Sequence, residues 1–274
     1  MGGSDAVDSE RSGESAASTS DAETTLAGDD TTAAGQETAS EPFEPVLCAQ
    51  KLLDAVRTDD PVDPYLTTLA RYDESDLTAL REQRNAALAF WLNLYNAGTQ
   101  MLLDRRSELY ESPLRTVRFF RATCVTVSGT DLSLDDIEHG ILRGSRSKYG
   151  LGYVPRLVSG SFVRRYSLDP VDSRIHFACN CGAASCPAIR YYEPDTVDEQ
   201  LERATRGYLD STVEYDADAG VVRVPRVFLW YRGDFGGSDG ILRFLQKYDV
   251  VPEDANPRLK HRSWDWTKAA GKFA

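Results

Sequence analysis

The chain has 274 residues and a formal net charge of −12, and 41% of its residues are hydrophobic. The charge is uneven: residues 1–44 carry eleven acidic residues and one basic residue, whereas the other 230 residues carry 32 acidic and 30 basic ones. The absence of a basic domain or stripe argues against a nucleic-acid partner. No apolar run reaches the roughly 20 residues that a bilayer span needs. We therefore expect no nucleic-acid and no membrane partner.

Residues 1–43 are mostly Ser, Thr, Ala, Gly, Asp and Glu, with almost no large apolar side chain. Such a segment cannot bury enough surface to offset the entropy of ordering it, so we predict a disordered acidic low-complexity tail. Residues 44–274 are predicted to form a single globular domain. The sequence has no charged and apolar leader, and its five cysteines do not resemble a secreted disulfide framework. These features predict a cytoplasmic protein.

The first strong pattern is helical and runs from Ser75 to about Arg105. From Ala86 onward it is apolar on nearly every side, which predicts a long, buried central helix. Asn93 and Asn96 interrupt this apolar surface, and a buried amide needs hydrogen-bond partners. Either the two amides bond to neighbouring backbone, or they project into a site and orient a substrate or a catalytic group.

The rest of the chain predicts short elements. Ser133 followed by Asp136 resembles a capping box at the start of a helix. Trp264 and Trp266 are predicted to dock back onto the body, because two exposed tryptophans in a tail are unusual. The other predicted elements are helices at 46–56, 65–72, 134–143, 197–209 and 240–248, a strand at 124–127, and a hairpin of 212–215 with 221–225. The predicted fold is α+β or mixed α/β, helix-rich, with a small sheet.

The stretch 172–192 holds three of the five cysteines and one of the three histidines. We predict a strand over 174–179 within the small sheet, a small-residue loop over 181–185, and then a helix. Cys186 would be the N-cap of that helix, and Pro187 would lie in its first turn. Free backbone N–H groups and the helix dipole would then favour a thiolate at Cys186. The alternative is that these cysteines are small buried residues at a packed joint.

The leading hypothesis is a cysteine-dependent hydrolase or acyltransferase that acts on an amide or thioester. Cys186 would be the nucleophile, His139 the base, Glu138 or Asp135 the group that orients the base, and Asn93 a polar stabiliser. A resolving thiol at Cys181 would instead indicate redox chemistry. No cofactor or metal is predicted, and the ligand would be an unknown small molecule or peptide. The residues predicted to bind it are Asn96, Arg143, His176, Asn180 and Cys181.

Two other interpretations stay open. His176, Cys179, Cys181 and Cys186 have the residue types of a structural zinc site, although their spacing is not that of a standard zinc knuckle. The protein could also be a non-catalytic binding or scaffold module. In that case a buried polar network would fix the fold, with Trp230, Tyr231 and Phe235 in the core; its members would be Asn93, Asn96, Glu138, His139 and Arg143.

Four motifs in one order carry a resemblance to a known family: FWLNLYNA at 90–97, LSLDDIEHGILR at 132–143, RIHFACNCGAASCP at 174–187 and VPRVFLWYRGDF at 224–235. Together they resemble the uncharacterised domain-of-unknown-function family 547 (DUF547), from about Leu80 to Phe235. The resemblance implies no settled activity. Some plant relatives carry a leucine zipper, which hints at scaffolding, but no heptad run precedes the domain here. Where many relatives have leucine this chain has Cys179, so Cys179 is the cysteine least expected to share a function.

Overall fold

The computed structural model describes residues 44–274, so the predicted acidic tail at 1–43 lies outside the described residues. The fold is helix-rich α+β, as predicted. The α-helices of the described part are α1 (Glu44–Thr58), α2 (Asp63–Arg71), α3 (Ala79–Glu82), α4 (Arg84–Arg105), α5 (Pro113–Arg121), α6 (Ser161–Arg165), α7 (Val197–Thr212), α8 (Val227–Trp230) and α9 (Gly237–Lys247). Two 3-10 helices lie at Ser107–Tyr110 and Ser173–Phe177, and a π-helix lies at Asp136–Leu142.

The strands form two small sheets: β1 (Thr123–Val127), β2 (Thr130–Ser133), β3 (Glu214–Asp216), β4 (Val221–Val224) and β5 (Arg258–His261). β1 and β2 make an antiparallel hairpin. Its turn residues Ser128 and Gly129 both have positive φ, at 49° and 67°, as the commonest two-residue hairpin turn requires. β3 and β4 form the predicted second hairpin, and β5 pairs with β4 in parallel.

Helix α4 is the centre of the larger hydrophobic core. Its residues are buried without interruption from Ala86 to Leu103, and it packs against α1, α3, α7 and the π-helix. Full burial of each leucine or phenylalanine contributes about 1.5–3 kcal/mol, so this helix anchors the fold. The helix does not start at Ser75 as expected. Gln83 has extended backbone angles and separates α3 from α4.

A second, aromatic core lies beside the first and is centred on Phe177, Phe228, Phe235 and Phe244. The 3-10 helix at Ser173–Phe177 joins the two, because Ile175 packs in the first core and Phe177 in the second. The predicted strand over 174–179 is therefore wrong. Ile175, His176 and Phe177 are all buried, which the alternating faces of a half-buried strand do not allow. The Asp172 carboxylate caps the segment by accepting from the Arg174 N–H.

The predicted helix at Cys186 is also wrong. Residues 183–189 form turns and extended backbone. Their backbone groups form hydrogen bonds with the C-terminal segment Asp265–Ala274 instead of with one another in a helix. The N–H of Ala184 donates to Thr267 O at 2.8 Å, and the N–H of Ile189 donates to Lys272 O at 2.7 Å. Trp264 and Trp266 dock back as expected, with ring centroids 5.2 and 5.7 Å from that of Trp230. Within residues 44–274, no helix is both long and apolar enough to span a membrane.

Candidate functional site

A pocket of about 330 Å³ opens between the π-helix, the loop 179–187 that carries three cysteines (the cysteine loop), and the C-terminal tryptophans Trp264 and Trp266. We call it the central pocket. Its apolar wall is largely aromatic, and its polar end carries acidic, histidine and cysteine side chains. The polar lining residues are Asp135, Glu138, His139, Lys148, His176, Cys179, Cys181 and Cys186, and the aromatic ones are Tyr95, Phe120, Tyr149, Trp230, Tyr231, Trp264 and Trp266. An apolar pocket with a few convergent polar groups is the usual form of a ligand site.

The π-helix presents the polar end. Ser133 and Asp136 start it as a capping box, since the Asp136 N–H donates to Ser133 Oγ and the Ser133 N–H donates to Asp136 Oδ2, both at 3.2 Å. The Arg143 N–H then donates to the Glu138 carbonyl, five residues back, at 2.8 Å. This wider turn was not predicted. π-helical backbone is rare, and where it occurs it is frequently found at functional sites.

Glu138 is a buried carboxylate held by two tyrosines. The Tyr231 hydroxyl donates to one carboxylate oxygen at 2.6 Å, and the Tyr95 hydroxyl donates to the other at 2.8 Å. Burial would raise the pKa of Glu138, but the nearby His139, the Tyr231 hydroxyl and Arg143 outweigh it and leave the pKa below its ordinary value. Glu138 is therefore an anion near neutral pH, with both oxygens already occupied.

His139 is neutral at physiological pH. Burial lowers its pKa from 6.5 to about 4, and the charges of Arg143 and Lys148 act in the same direction against the attraction of Glu138. Arg143 Nη1 lies 3.0 Å from His139 Nδ1. A guanidinium can only donate, so Nδ1 is the acceptor and the ring proton lies on Nε2. Nε2 is 3.6 Å from Asp135 Oδ1. His139 is thus arranged to donate a hydrogen bond from Nε2.

A second histidine has the opposite arrangement. His176 Nε2 lies 2.9 Å from Asp234 Oδ2, and the side chains of both residues are almost completely buried. Burial alone would raise the pKa of Asp234, but the hydrogen bonds from His176 and Arg143 lower it by more, so the net pKa is below its ordinary value. The carboxylate is therefore ionised and accepts the Nε2 proton of His176. Among the described residues, His176 Nδ1 has no hydrogen-bond partner. Burial also lowers the pKa of His176, against the pull of Asp234. The neutral ring therefore has a free lone pair.

Asp234 is not among the site residues predicted from the sequence, although it lies in the fourth motif, at 224–235. Its partners are far away in sequence, 58 residues for His176 and 91 for Arg143. The Arg143 Nε donates to Asp234 Oδ2 at 2.7 Å, and its guanidinium carbon lies 4.4 Å from the centre of the Tyr231 ring. His176 stacks on the same ring at 4.0 Å. Arg143 thus joins the two histidines into one buried network and does not itself line the pocket.

Cys181 and Cys186 are paired as a disulfide. Cys186 is 1% exposed, and its sulfur accepts the Cys181 backbone N–H at 3.1 Å. The predicted position of Cys186 at a helix N-terminus is thus replaced by a place in a disulfide loop. Cys179 is a free thiol that also lines the central pocket, and burial followed by the charge of Glu138 raises its pKa well above 9.0. In residues 44–274 no group of three or more metal-ligating side chains converges, and Cys181 and Cys186 are bonded to each other, so the structure does not support the zinc interpretation for these residues.

The asparagines lie outside the pocket. Asn93 donates to Tyr192 O at 2.8 Å and accepts the Tyr192 N–H at 3.0 Å. Asn96 donates to Ala178 O at 3.1 Å and accepts the Asn180 N–H at 2.9 Å. The Asn180 side chain in turn spans the cysteine loop, from the Gly182 N–H to Pro187 O. All three side-chain amides are hydrogen-bonded to backbone groups. We therefore assign Asn93 a structural role, and we assign Asn96 and Asn180 the role of shaping the loop that carries the cysteines.

A model of the family described as "Protein of unknown function, DUF547" matches residues 79–209. The family predicted from the motifs is confirmed, and three of the four motifs lie inside the matched range. The DUF547 match does not include the fourth motif or Asp234. A search of curated proteins gave no match, and a search of solved structures gave none either.

Proposed function

We propose that this DUF547 protein is a cysteine-dependent hydrolase or acyltransferase whose active site is the central pocket. One observation carries the proposal: a histidine oriented by a buried carboxylate lines the same pocket as the Cys181–Cys186 pair. Cysteine catalysis needs a thiol, a base and a group that orients the base. The thiol and the histidine come from the stretch 172–192 and both line the central pocket, and the carboxylate that orients the histidine, Asp234, lies behind it.

We assign the base to His176 rather than to His139. His176 Nδ1 has a free lone pair, because Asp234 fixes the ring proton on Nε2. His139 Nδ1 already accepts from Arg143. The neutral His139 instead has an N–H at Nε2, which suits the stabilisation of an oxyanion. Glu138 keeps a supporting role through the two tyrosines that hold it.

We assign the nucleophile to Cys186 in its reduced state. The Cys181 N–H donates to Cys186 Sγ, and a donor to the charged form lowers the pKa of a thiol. His176 Nδ1 would take the Sγ proton, and the thiolate would attack the carbonyl carbon of an amide or thioester. As the C–N or C–S bond breaks, the leaving group takes that proton from His176. Water or an acceptor then attacks the acyl-cysteine, and the thiol is regenerated.

The oxidised pair has no thiol and is inactive in this scheme. Cytosolic thiols are kept reduced, so the predicted cytoplasmic location would favour the active form. The disulfide also favours a second candidate function, which is thiol–disulfide exchange. There a substrate thiolate attacks Cys181 Sγ, the S–S bond breaks, and Cys186 leaves as the thiolate that the Cys181 N–H stabilises.

The test is acylation of the reduced protein by p-nitrophenyl acetate, with the acetylated residue located by mass spectrometry. We expect acetyl transfer to Cys186 that is lost in Cys186→Ser and slowed in His176→Ala. The matched control is Cys124→Ser, since Cys124 lies outside the central pocket. Equal labelling of Cys48, Cys124 and Cys186 would contradict the assignment. Acyl transfer requires only Cys186 and persists in Cys181→Ser, whereas disulfide exchange requires both cysteines and is abolished.

A further inference from the structure

Two further cavities adjoin the central pocket. The first, of about 470 Å³, is lined by Tyr110, Glu111, Ser112, Thr116, Val117, Phe120, Lys148, Tyr149 and Trp266. We call it the apolar pocket. The second, of about 380 Å³, is lined by Arg121, Ser133, Asp135, Asp136, His139, Arg146, Ser147, Lys148, Tyr149 and Arg156. We call it the basic pocket. Lys148 and Tyr149 line all three cavities, so the three cavities meet at these two side chains.

The apolar pocket is formed by one face of α5 and by two aromatic side chains. Val117 and Phe120 come from α5, and Tyr149 and Trp266 close the other side. Val117 is 36% exposed and Trp266 46% exposed, so this surface is accessible from solvent. Such a wall binds an apolar group by removing its surface from water. Phe120 and Trp266 also line the central pocket, which makes the apolar wall continuous between the two.

The basic pocket has four basic side chains against two carboxylates, a formal excess of two positive charges. Arg156 pairs with Asp136 at 2.7 Å, and Lys148 pairs with Asp135. Arg121 is 3.9 Å from Asp135, which Lys148 already holds, and Arg146 Nε is 3.8 Å from Asp234, which belongs to the histidine network. His139 is neutral there. The surplus charge lies with Arg121 and Arg146, and guanidinium groups suit phosphate or carboxylate.

We propose that the substrate is an acyl compound with an apolar acyl arm and an anionic leaving group. The arm lies in the apolar pocket, the carbonyl in the central pocket, and the phosphate or carboxylate of the leaving group in the basic pocket. This inference rests on the proposed function for the order of the three parts. It adds the chemical class of the substrate, since a neutral or cationic leaving group leaves the excess charge of the basic pocket unpaired.

The experiment measures binding without reaction. Dodecyl phosphate has an apolar arm and an anionic head and carries no acyl group, so it probes recognition alone. Its binding to the full chain is followed by isothermal titration calorimetry and compared with that of dodecyltrimethylammonium, which has the same arm and the opposite charge. We expect binding of the phosphate at least about tenfold tighter than that of the ammonium.

Helix α5 supplies matched variants for each end of the ligand. Val117→Asp places a charge in the apolar pocket, and Leu114→Asp places the same charge on a residue that is 75% exposed and lines neither pocket. We expect about tenfold weaker dodecyl phosphate binding for Val117→Asp and no change for Leu114→Asp. Arg121→Glu in the basic pocket should weaken binding about fivefold, and Arg118→Glu, on an exposed residue that lines none of the three pockets, should not. Circular dichroism verifies that each variant is folded.

Equal binding of the two amphiphiles, or equal losses in Val117→Asp and Leu114→Asp, would overturn the inference. The proposed function can fail separately, because dodecyl phosphate binding does not require a thiol. Binding retained in Cys186→Ser, together with acetylation that is indifferent to His176, would keep the ligand site and reject the enzyme. Acetylation at Cys186 without discrimination between the amphiphiles would do the reverse.

Discussion

Two buried polar clusters lie near the cysteine loop, and they differ in whether their hydrogen-bonding atoms are all paired. The cluster of Asn93, Asn96 and Asn180 is closed: each amide accepts a backbone N–H and donates to a backbone carbonyl. The cluster of Glu138, His139 and His176 faces the central pocket, and two of its ring nitrogens, Nε2 of His139 and Nδ1 of His176, lack a close partner among the described residues.

The difference separates polar residues that hold a fold from polar residues that can do chemistry. Both clusters are buried, with the asparagines 0% exposed and Glu138, His139 and His176 6–8% exposed, so the burial of a polar residue does not by itself identify a site. A closed amide replaces water for backbone groups that would otherwise be unsatisfied. An open nitrogen at a pocket wall can exchange a proton or a hydrogen bond with a ligand. Variants of the closed cluster should therefore change stability most, and variants of the open cluster should change reactivity and the pH dependence of stability.

The largest expected effect is in the closed cluster. Asn93→Ala removes two buried hydrogen bonds and leaves the Tyr192 N–H without its acceptor, which we expect to cost about 4 kcal/mol of the free energy of unfolding. Urea denaturation measures it. Gln50→Ala is the matched control, because Gln50 donates to the same Tyr192 carbonyl from a half-buried position. It should cost about 1 kcal/mol. Equal losses in the two variants would show that Asn93 is not a structural clamp.

The second prediction concerns the loss of folding stability at acidic pH. The pKa of His139 falls from 6.5 to about 4 on folding, so the unfolded chain binds its proton first as the pH drops. The stability from neutral His139 is complete above pH 6.5 and is lost between pH 6.5 and 4, by about 3 kcal/mol. His139→Gln should flatten this slope in urea titrations against pH. His176 adds to the same slope, since its pKa is also lowered. An unchanged slope in His139→Gln would mean that its ring is not held neutral.

The third prediction tests the open cluster. Asp234→Asn removes the charge that fixes the Nε2 proton of His176, and we expect acetylation of reduced Cys186 to slow by roughly 100-fold, less than the roughly 10⁴-fold loss known for the equivalent carboxylate of a serine triad. The matched control is Asp265→Asn, whose carboxylate accepts from Thr267 at the surface. A 100-fold loss in rate with the fold intact would sharpen the contrast with Asn93. Similar rates in the two variants would remove Asp234 from the site.

The smallest effect is expected at Glu138. Tyr95→Phe removes one of two hydroxyl donors to a carboxylate and should destabilise the protein by about 1–2 kcal/mol at neutral pH. The pKa of Glu138 should rise, because a donor to its charged form is lost. Chemical denaturation at several pH values measures both effects. A stability equal to that of the wild type would indicate that the second donor, Tyr231, is sufficient to hold the carboxylate.

Local patterns predicted a large part of this fold. The apolar surface of α4, the capping box of Ser133 and Asp136, and the hairpin of β3 and β4 each depend on residues close together in sequence. The secondary structure predicted for the cysteine stretch, 172–192, is wrong for the opposite reason, because the structure there depends on residues far away in sequence. Its helix at Cys186 is displaced by hydrogen bonds to Asp265–Ala274, about 80 residues away, and its strand by burial of His176 between two cores. Neither influence has a local signature.

The same limit applies to the site. Glu138, His139 and Cys186 were predicted from residue type and motif, and all three line the central pocket. The choice between two histidines as base could not be predicted, because it depends on which ring nitrogen Arg143 or Asp234 occupies. Cys179 was ranked last among the three cysteines of its stretch, yet it lies in the pocket as a free thiol. Contacts of this kind are fixed by tertiary packing rather than by spacing.

The most direct test of the open cluster is the rate of Cys186 alkylation against pH in the reduced protein. Iodoacetamide labelling, resolved by mass spectrometry, gives the pKa of the Cys186 thiol in the wild type and in His176→Asn. We predict a wild-type midpoint below the ordinary thiol value of about 8.5 and a clearly higher midpoint in the variant. The same midpoint near 8.5 in both proteins would contradict the account, because His176 would then have no influence on the thiol.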